Sequence, residues 1–453
     1  MPETNINTPR SNKSAVINMC RIVSRFGTEE SYALAGLNLA QSIKSIELYE
    51  DIFTASMTGV ATFKDSSSLS TLFRLDGTED LHLIFSVFNP ETQQFRKYGS
   101  DQQPLVFTMY AQNHRTRITA GSERFEVKLV SAELYGAGEY KISKTYKNQF
   151  IEDIIQDIMK NGLNSNKKFS FVEKTKTPIT MTIPFLTPIQ AIKLLCMHGQ
   201  SETQETNYLF FETLDGFQFR SIRSIIEESL NKNIPTISQT LAGTRTGRDT
   251  EKLINADEIE ISAGYDSLYA MTHGFFASTT YALDILSGTC KKDVTRISDE
   301  QYKNKKLING KYLSEATPIY PYRYGNMVNP TSKLFLIPTT ENTVKTFGTK
   351  DPRIHDNMIA KTLDGRNREL LSLQLRTIRA IVSGAPELNA GKIVNIIYPP
   401  TIGAGGTKVD DIANGKYMII SSKHSILNNG HGEFLYETVF EAGTDSNAVS
   451  KRT

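Results

Sequence analysis

Apolar and charged residues alternate along the first third of the chain with the two-residue period of β-strands. In segment 124–129 every second residue is apolar, so one face would be buried and the other exposed. Segment 81–88 is strongly apolar, as in a strand that is covered on both sides. Several such strands without an intervening helical pattern predict a barrel or a sandwich. The other strands expected here are 43–49, 56–63 and 105–110.

A helical pattern follows. Apolar residues recur at three- and four-residue spacing between 150 and 159, which predicts an amphipathic helix. A second helix is predicted to start at Pro188, because Thr187 is suited to the N-cap and Gln190 completes a capping box. Gly199 is expected to end this second helix.

Two aromatic runs flank Asp215 and Gly216, an arrangement that strongly predicts a β-hairpin. The aromatic rings between Tyr208 and Phe219 have the chemistry to stack nucleic-acid bases. An isolated two-stranded hairpin is only marginally stable, however, so we expect these rings to pack against the two predicted helices. Residues 143–230 therefore form a small α+β unit in this interpretation.

The second half of the chain alternates between weak and clear patterns. Residues 231–260 are polar and are predicted to be a linker, and 293–350 is predicted to be irregular. Between them, 266–273 is expected to form a short helix stopped by Gly274, followed by a strand at 278–286. The later elements are a strand or helix–strand junction at 370–382, a turn at 384–391, strands at 392–398, 416–421 and 434–440, and a glycine-rich loop at 399–408.

These patterns predict a mainly β fold with an α+β insertion. Two similar β-barrel domains would be joined by an inserted small α+β domain and a peripheral irregular region, which fits the roughly 2–4 domains expected for this length. The expected divisions are a flexible N-terminus at 1–14, the first barrel at 15–140, the inserted domain at 141–255, the second barrel at 256–292 and 360–445, the irregular insertion at 293–359 and a flexible tail at 446–453.

The composition argues against several classes of protein. Basic and acidic residues nearly balance, 51 against 49, for a net charge of +2, whereas nucleic-acid-binding domains usually carry a basic excess. The three cysteines lie far apart and match no metal-binding or disulfide pattern, so we expect free thiols in a reducing compartment. The polar N-terminus is not a signal peptide, and no stretch is long and apolar enough to predict a membrane span.

Complete catalytic, cofactor or metal motifs are absent from the sequence. Segment 403–408 is glycine-rich but lacks the phosphate-loop spacing and the helix that should follow. The seven histidines include no zinc-ligand pair, and turn and edge positions account for His424 and His431 beside a predicted hairpin. No nucleophile signature occurs, and adjacent carboxylates such as Glu152 and Asp153 indicate solvated faces. We therefore predict no catalytic, cofactor-binding or metal-binding residue.

The order of these parts resembles the central baseplate hub proteins of contractile-tailed phages and the N-terminal part of type VI secretion spike proteins. Four stretches carry the resemblance: strands at 43–65, the aromatic hairpin at 208–222, a helix–glycine–strand step at 273–284, and a turn before an apolar strand at 383–398. Unlike the spike proteins, the chain stops after the second barrel without a needle repeat or lysozyme-like extension. The spike is therefore expected to be a separate chain.

The residues that match the family motif are expected to have structural roles. They are Tyr208, Phe210, Asp215, Gly216, Phe219, Arg220, Gly274, Asp284, Gly384 and Gly391. The resemblance implies a non-catalytic protein of the virion tail baseplate, assembled in the host cytoplasm. Its subunits would form a homotrimeric ring of six barrels that adapts the sixfold tail tube to the threefold central spike. Other expected partners are further baseplate proteins and the tape measure protein, with DNA present only in transit.

Two other functions stay open at this point. A tail-tip adhesion protein would dock to a host receptor rather than to the tube or spike. A peptidoglycan hydrolase of the tail tip would need two carboxylates at a set separation in a cleft. Residues 293–360 carry the least predicted structure and are where such a cleft would have to be sought.

Overall fold

The structure is a computed structural model that describes most of the chain. Residues 1–12, most of 297–357 and the end of the chain beyond 446 lie outside its described part, together with the predictions made for them. The described residues are 13–24, 37–65, 75–89, 94–119, 121–165, 167–201, 206–231, 234–239, 253–263, 266–284, 288–296, 306–310, 333–339, 358–374, 376–398, 401–403, 406–408, 413–430 and 433–446.

Strands dominate the described residues, as the sequence predicted. The strands are β1 (Ser14–Val23), β2 (Ile43–Asp51), β3 (Thr58–Asp65), β4 (Asp80–Asn89), β5 (Gln94–Tyr98), β6 (Leu105–Thr119), β7 (Ser122–Ser131), β8 (Ile142–Gln149), β9 (Phe169–Val172), β10 (Ile179–Leu186), β11 (Tyr208–Thr213), β12 (Gly216–Ser221), β13 (Thr236–Gln239), β14 (Leu253–Ala263), β15 (Ala277–Asp284), β16 (Thr289–Arg296), β17 (Leu334–Thr339), β18 (Arg376–Ser383), β19 (Ile393–Ile397), β20 (Thr401–Gly403), β21 (Gly406–Lys408), β22 (Gly415–Asn428) and β23 (Phe434–Thr444). The helices are α1 (Ala132–Ala137), α2 (Ile151–Asp157, continued by a π-turn at Ile158–Gly162), α3 (Pro188–His198), α4 (Ile222–Asn231), α5 (Ser267–Thr272) and α6 (Met358–Leu373), with a 3₁₀ turn at Ala40–Ser42. None of these helices has the length and apolarity that a membrane crossing requires.

The first barrel closes through the strand ring β1-β4-β6-β7-β3-β2-β22-β23, in which all neighbours are antiparallel. β5 extends the sheet beyond β4. The alternation predicted at 124–129 is confirmed, because Phe125, Val127 and Leu129 of β7 are buried in the barrel core. Phe125 stacks on Phe63 of β3 with ring centroids 5.1 Å apart, a geometry that adds to the area buried.

The second barrel closes through the ring β13-β14-β18-β23-β22-β19. Its core contains the buried side chains of Ile378, Tyr417 and Phe440. The predicted linker at 231–260 is wrong for its described residues, which form β13 and much of β14. The many polar residues on the outer side of β14 gave this segment its linker-like composition, although Ile259 faces the core.

Strands β22 and β23 belong to both barrels. Residues 421–427 of β22 pair with β2 in the first barrel, whereas 415–418 pair with β19 in the second. In the same way, β23 pairs with β1 at one end and with β18 over the rest of its length. The register of the shared pair shifts between Ile419 and Ser421, close to where the pair passes from one barrel to the other. The two barrels are therefore parts of one continuous sheet.

The inserted α+β domain lies beside the two barrels. Its core is confirmed as predicted for four of the five hairpin rings, which share one buried cluster with Ile154 of α2 and Ile192 of α3. The fifth ring, that of Phe211, lies in a separate cluster. The capping box is present, because the Thr187 hydroxyl accepts a hydrogen bond from the Gln190 N–H and the Gln190 side chain accepts one from the Thr187 N–H. These local rules fix where α3 begins.

A separate three-stranded sheet, in the order β16-β15-β17, lies at the periphery. The strand predicted at 278–286 exists as β15, but its predicted place in the second barrel is wrong. β15 pairs with its sequence neighbour β16 on one edge and with β17 on the other, so neither edge is left for the barrel. The described parts of the predicted irregular insertion therefore include strand residues, while α6 packs on β15 and β17.

Asp445 and Ser446, which follow the last strand, make tertiary hydrogen bonds. Ser446, predicted as the start of the flexible tail, is 1% exposed. Its main-chain carbonyl accepts a hydrogen bond of 2.6 Å from the Asn309 side chain. The Asp445 carboxylate accepts one of 3.0 Å from the Ile308 N–H. These contacts attach segment 306–310 to the end of β23.

Burial raises the pKa of Asp445 to about 6, above the value near 3.9 of an unfolded aspartate. The protonated form is therefore favoured in the folded state, and its contribution to stability is complete below about pH 4 and is lost as the pH rises through 6. Asp445→Asn cannot ionise, so we expect its thermal stability to increase relative to that of the wild type as the pH rises from 4 to 7. Thermal unfolding across this range measures the difference, and a difference independent of pH would contradict the prediction.

Candidate functional site at the joint of the domains

The tip of the β11–β12 hairpin lies where the two barrels meet. We call this place the joint and define it by Glu50, Leu214, Asp215, Ala390 and His424. The Leu214 side chain lies in the apolar core cluster of the first barrel. Ala390, from the turn between β18 and β19, lies in a separate buried cluster that also contains residues of the hairpin, α4 and α6.

Glu50 connects all three domains through one buried carboxylate. It lies in β2, and its side chain is almost fully buried. One carboxylate oxygen accepts a hydrogen bond of 2.6 Å from the Leu214 N–H of the hairpin. The other accepts one of 2.9 Å from the Ala390 N–H of the second barrel. Hydrogen bonds to a buried carboxylate are among the stronger ones in proteins, so Glu50 ties the hairpin and the second barrel to the first.

His424 and Tyr436 complete the buried side of the joint. His424 lies in β22 with 1% of its surface exposed, so the prediction that a turn or edge position explains it is wrong. Its Nδ1 lies 2.7 Å from the Tyr436 hydroxyl, and its Nε2 lies 3.5 Å from a Glu50 carboxylate oxygen. Both ring nitrogens therefore face polar groups, as a buried histidine requires.

Asp215 supplies a second connection on the exposed side of the joint. Its carboxylate accepts a hydrogen bond of 2.7 Å from Arg96 of β5 in the first barrel. It also accepts one of 2.9 Å from the Asn389 amide of the second barrel, and the Lys392 ammonium lies 3.6 Å away. The first residue of the predicted Asp-Gly turn thus contacts both barrels.

Two of the predicted glycines lie where neighbouring atoms leave no space for a side chain. Gly216 has a φ of +118°, and a Cβ there would lie 2.4 Å from the carbonyl oxygen of Lys168. Gly391 has a φ of +81°, and its Cβ would lie 2.7 Å from the ring of Phe211 in the hairpin. Only glycine combines this backbone conformation with such contacts. The turn of the second barrel can therefore lie directly on the hairpin.

A further buried ionic cluster holds β11 to the first barrel. Glu212 accepts hydrogen bonds from the Met57 N–H, at 3.0 Å, and from the Lys167 ammonium. Lys167 also lies 3.1 Å from Glu133. Burial raises the pKa of Glu212, while Lys167 opposes that rise. Burial alone would lower the pKa of Lys167, but Glu212 and Glu133 raise it, so the ammonium stays charged between the two carboxylates.

The remaining hairpin residues of the predicted motif serve the core of the inserted domain. Tyr208 stacks on Phe219 with centroids 4.8 Å apart, and Phe210 lies in the same cluster. Arg220 lies 4.0 Å from the centroid of the Phe171 ring and donates a hydrogen bond of 2.6 Å to Glu228. These four residues shape the hairpin, and the contacts described for them lie within the inserted domain.

The other three motif residues lie away from the hairpin tip. Gly274 has a φ of +84° and lies against Lys333 at the start of β17. Asp284 is fully buried at the end of β15. Gly384 follows β18, and its N–H donates to the Tyr436 carbonyl oxygen. Of the ten motif residues, Asp215, Gly216 and Gly391 are therefore the three described at the joint.

Sequence reasoning missed Glu50, His424 and Arg96. A usable signal existed for the first two, because Glu50 lies on the same side of β2 as the buried Ile46 and Leu48. His424 likewise lies on the same, inward-facing side of β22 as Ile426. An ionisable residue at an inward position of a strand predicts a buried polar contact. The partner of that contact could not be predicted, because it lies far away in sequence.

The chemistry of the joint is that of a structural contact. The Ser422 hydroxyl lies 3.4 Å from the His424 Nε2, but it donates to the Leu388 carbonyl oxygen at 2.8 Å and is itself buried. It is therefore not arranged as a nucleophile beside its base. Within the described ranges, no three histidine, cysteine or acidic side chains come together as a possible metal site.

Replacing Glu50 with glutamine tests the joint. Both carboxylate oxygens accept main-chain N–H groups, and a glutamine amide can accept only one of them, leaving a donor facing a donor. We expect Glu50→Gln to lower the free energy of unfolding by about 1–3 kcal/mol. Amide hydrogen exchange should also quicken at residues 214 and 390. Glu139→Gln, at an exposed position, is the control, and an unchanged unfolding midpoint for Glu50→Gln would refute this role.

Replacing Gly391 with alanine tests the contact between turn and hairpin. Gly430 provides a matched control, because it has a similar φ of +87° but a Cβ at that position would meet no neighbour within 4 Å. We expect Gly391→Ala to be more destabilising than Gly430→Ala by about 1–3 kcal/mol. Denaturant unfolding measures both variants. Equal losses would mean that backbone conformation alone, and not the Phe211 contact, accounts for the effect.

Comparison with known proteins identifies the fold. No protein-family profile and no curated protein matches the sequence. A tail protein from Neisseria meningitidis MC58 is similar in structure, with a TM-score of 0.52, 10% identity, and coverage of 94% of this chain and 97% of that one. The 43 kDa tail protein of prophage MuSo2 from Shewanella oneidensis has a TM-score of 0.47 at 11% identity, and the match covers 88% of this chain and 93% of that one. A type VI secretion component from Escherichia coli has a TM-score of 0.41 at 11% identity, and the match covers 91% of this chain and 76% of that one. The TM-score above 0.5 shows that the chain shares the fold of the Neisseria meningitidis tail protein.

Proposed function

We propose that the protein is a non-catalytic hub subunit of a phage-type contractile tail baseplate. The observation that carries this proposal is the pair of closed barrels that share β22 and β23 within one chain. Two barrels held side by side in every subunit let three subunits present six barrels in a ring. Such a ring would meet a sixfold tail tube with one face and a threefold spike with the other.

The joint supports this proposal because an adaptor must keep its barrels at a fixed angle. Glu50 and Asp215 each bind main-chain or side-chain groups from two other parts of the chain. Together with the shared strands, they resist rotation of one barrel against the other. The remaining motif residues are proposed to have structural roles within their own parts of the chain, Gly274 and Asp284 in the peripheral sheet and Gly384 after β18.

The proposed ring would surround a channel for the tape measure protein and for DNA in transit. A net charge of +2 over 453 residues suits a wall that passes DNA without retaining it, because nonspecific affinity depends mainly on phosphate contacts. The proposed partners are the tube protein ring, the trimeric spike, other baseplate proteins and the tape measure. The proposed location is the virion tail, after assembly in the host cytoplasm.

Light scattering on the purified chain, with negative-stain images of the same sample, tests the proposal. We expect three times the 50.7 kDa chain mass and a ring with a central hole. If the chain is a monomer, adding the spike chain should produce the ring. A monomer that forms no ring with the spike would refute the hub function and favour the adhesion or hydrolase alternatives, which cell docking and clearing of cell walls would then distinguish.

A further inference from the structure

One face of the peripheral sheet is apolar and open. Leu334 and Leu336 of β17 are 56% and 73% exposed, and Val294 of β16 is 36% exposed. The register places Leu334 and Val294 on either side of Thr279 in β15, so all three lie on the same face. Exposed leucines grouped in this way indicate a surface that another molecule covers.

This surface, which we call the basic face, also carries positive charge. Lys292 pairs with Tyr281 and Arg296 with Ala277, so both cations share the side of Val294 on β16. Both are exposed. In β15, residues of both sides are buried: Ala277 and Thr279 on this side, and Ser278, Thr280 and Asp284 on the other. The exposed part of the basic face therefore lies on the flanking strands, where β16 contributes Lys292, Val294 and Arg296 and β17 contributes Leu334 and Leu336.

The outer side of the second barrel has the complementary character, and we call it the acidic face. Across β14, β18 and β23, Glu260 pairs with Arg379, and Arg379 with Glu441. In the neighbouring row, Glu258 pairs with Ile381, which pairs with Val439. The three glutamates and Arg379 are exposed, and Ile381 and Val439 are half-buried. The face thus combines an acidic excess with an apolar centre.

We infer that the basic face of one subunit binds the acidic face of the next copy. This inference rests on the proposed ring and names the surfaces that build it. A closed ring requires a head-to-tail contact between two different faces of each subunit. Both faces are β-sheet surfaces that combine accessible apolar side chains with charges of opposite sign, so they can pack face to face and attract each other during encounter. A second copy is the occupant that supplies this complementary charge.

Charge reversal tests the pairing of the two faces. The variants are Lys292→Glu with Arg296→Glu, Glu258→Lys with Glu260→Lys, and all four changes combined. Each pair of changes should raise the concentration needed for half-association about tenfold or more, because like charges then face each other. The combination should restore association to near the wild-type concentration. Mass photometry and light scattering measure association, and thermal unfolding checks that each variant folds.

The matched control is Lys147→Glu with Lys176→Glu, because both lysines are exposed on the inserted domain. This double substitution should leave association unchanged. If the wild type forms the ring and the single-face variants form it equally well, the named faces are wrong while the proposed function stands. Loss in both variants without restoration in the combination would also overturn the pairing. A wild type that forms no ring, alone or with spike, would overturn both proposals.

Discussion

The sharing of β22 and β23 between two barrels is the constraint on which the rest of the structure depends. A strand pair that belongs to two closed rings must satisfy the twist and register of both, and the register shift between Ile419 and Ser421 lies where these demands change. The shared pair alone would leave the barrels joined along one line. The hairpin of the inserted domain adds contacts beside that line, so three domains are held by a few short-range interactions.

The buried groups at the joint hold the domains together in two ways, according to their chemistry. Among the apolar side chains, Leu214 lies in the core of the first barrel and Phe211 in the separate cluster that contains Ala390, and these contacts depend little on direction. The Glu50 carboxylate instead fixes orientation, because its two oxygens accept from N–H groups of different domains. Packing therefore supplies much of the attraction, while the buried carboxylate selects one arrangement of the parts.

The sequence predicted the local features of this fold well. Strand alternation at 124–129, the capping box at Thr187 and the hairpin at Asp215 each depend on neighbouring residues, and each is present. The failures are nonlocal. The linker predicted at 231–260 is wrong because polar residues cover the outside of β14, and β15 lies in a different sheet from the predicted one. Glu50 contacts a residue 340 positions away, a separation that no periodicity within one segment can reveal.

The Glu50 contacts have a consequence for how such proteins diverge. Both donors, at Leu214 and Ala390, are main-chain N–H groups, which every residue except proline possesses. Substitutions at either position can therefore keep these two hydrogen bonds while changing the side chain. An arrangement of domains that depends on main-chain hydrogen bonds can therefore persist when the side chains at these positions change. Contacts of this kind are compatible with a sequence identity as low as the 10% between this chain and the Neisseria tail protein of similar fold.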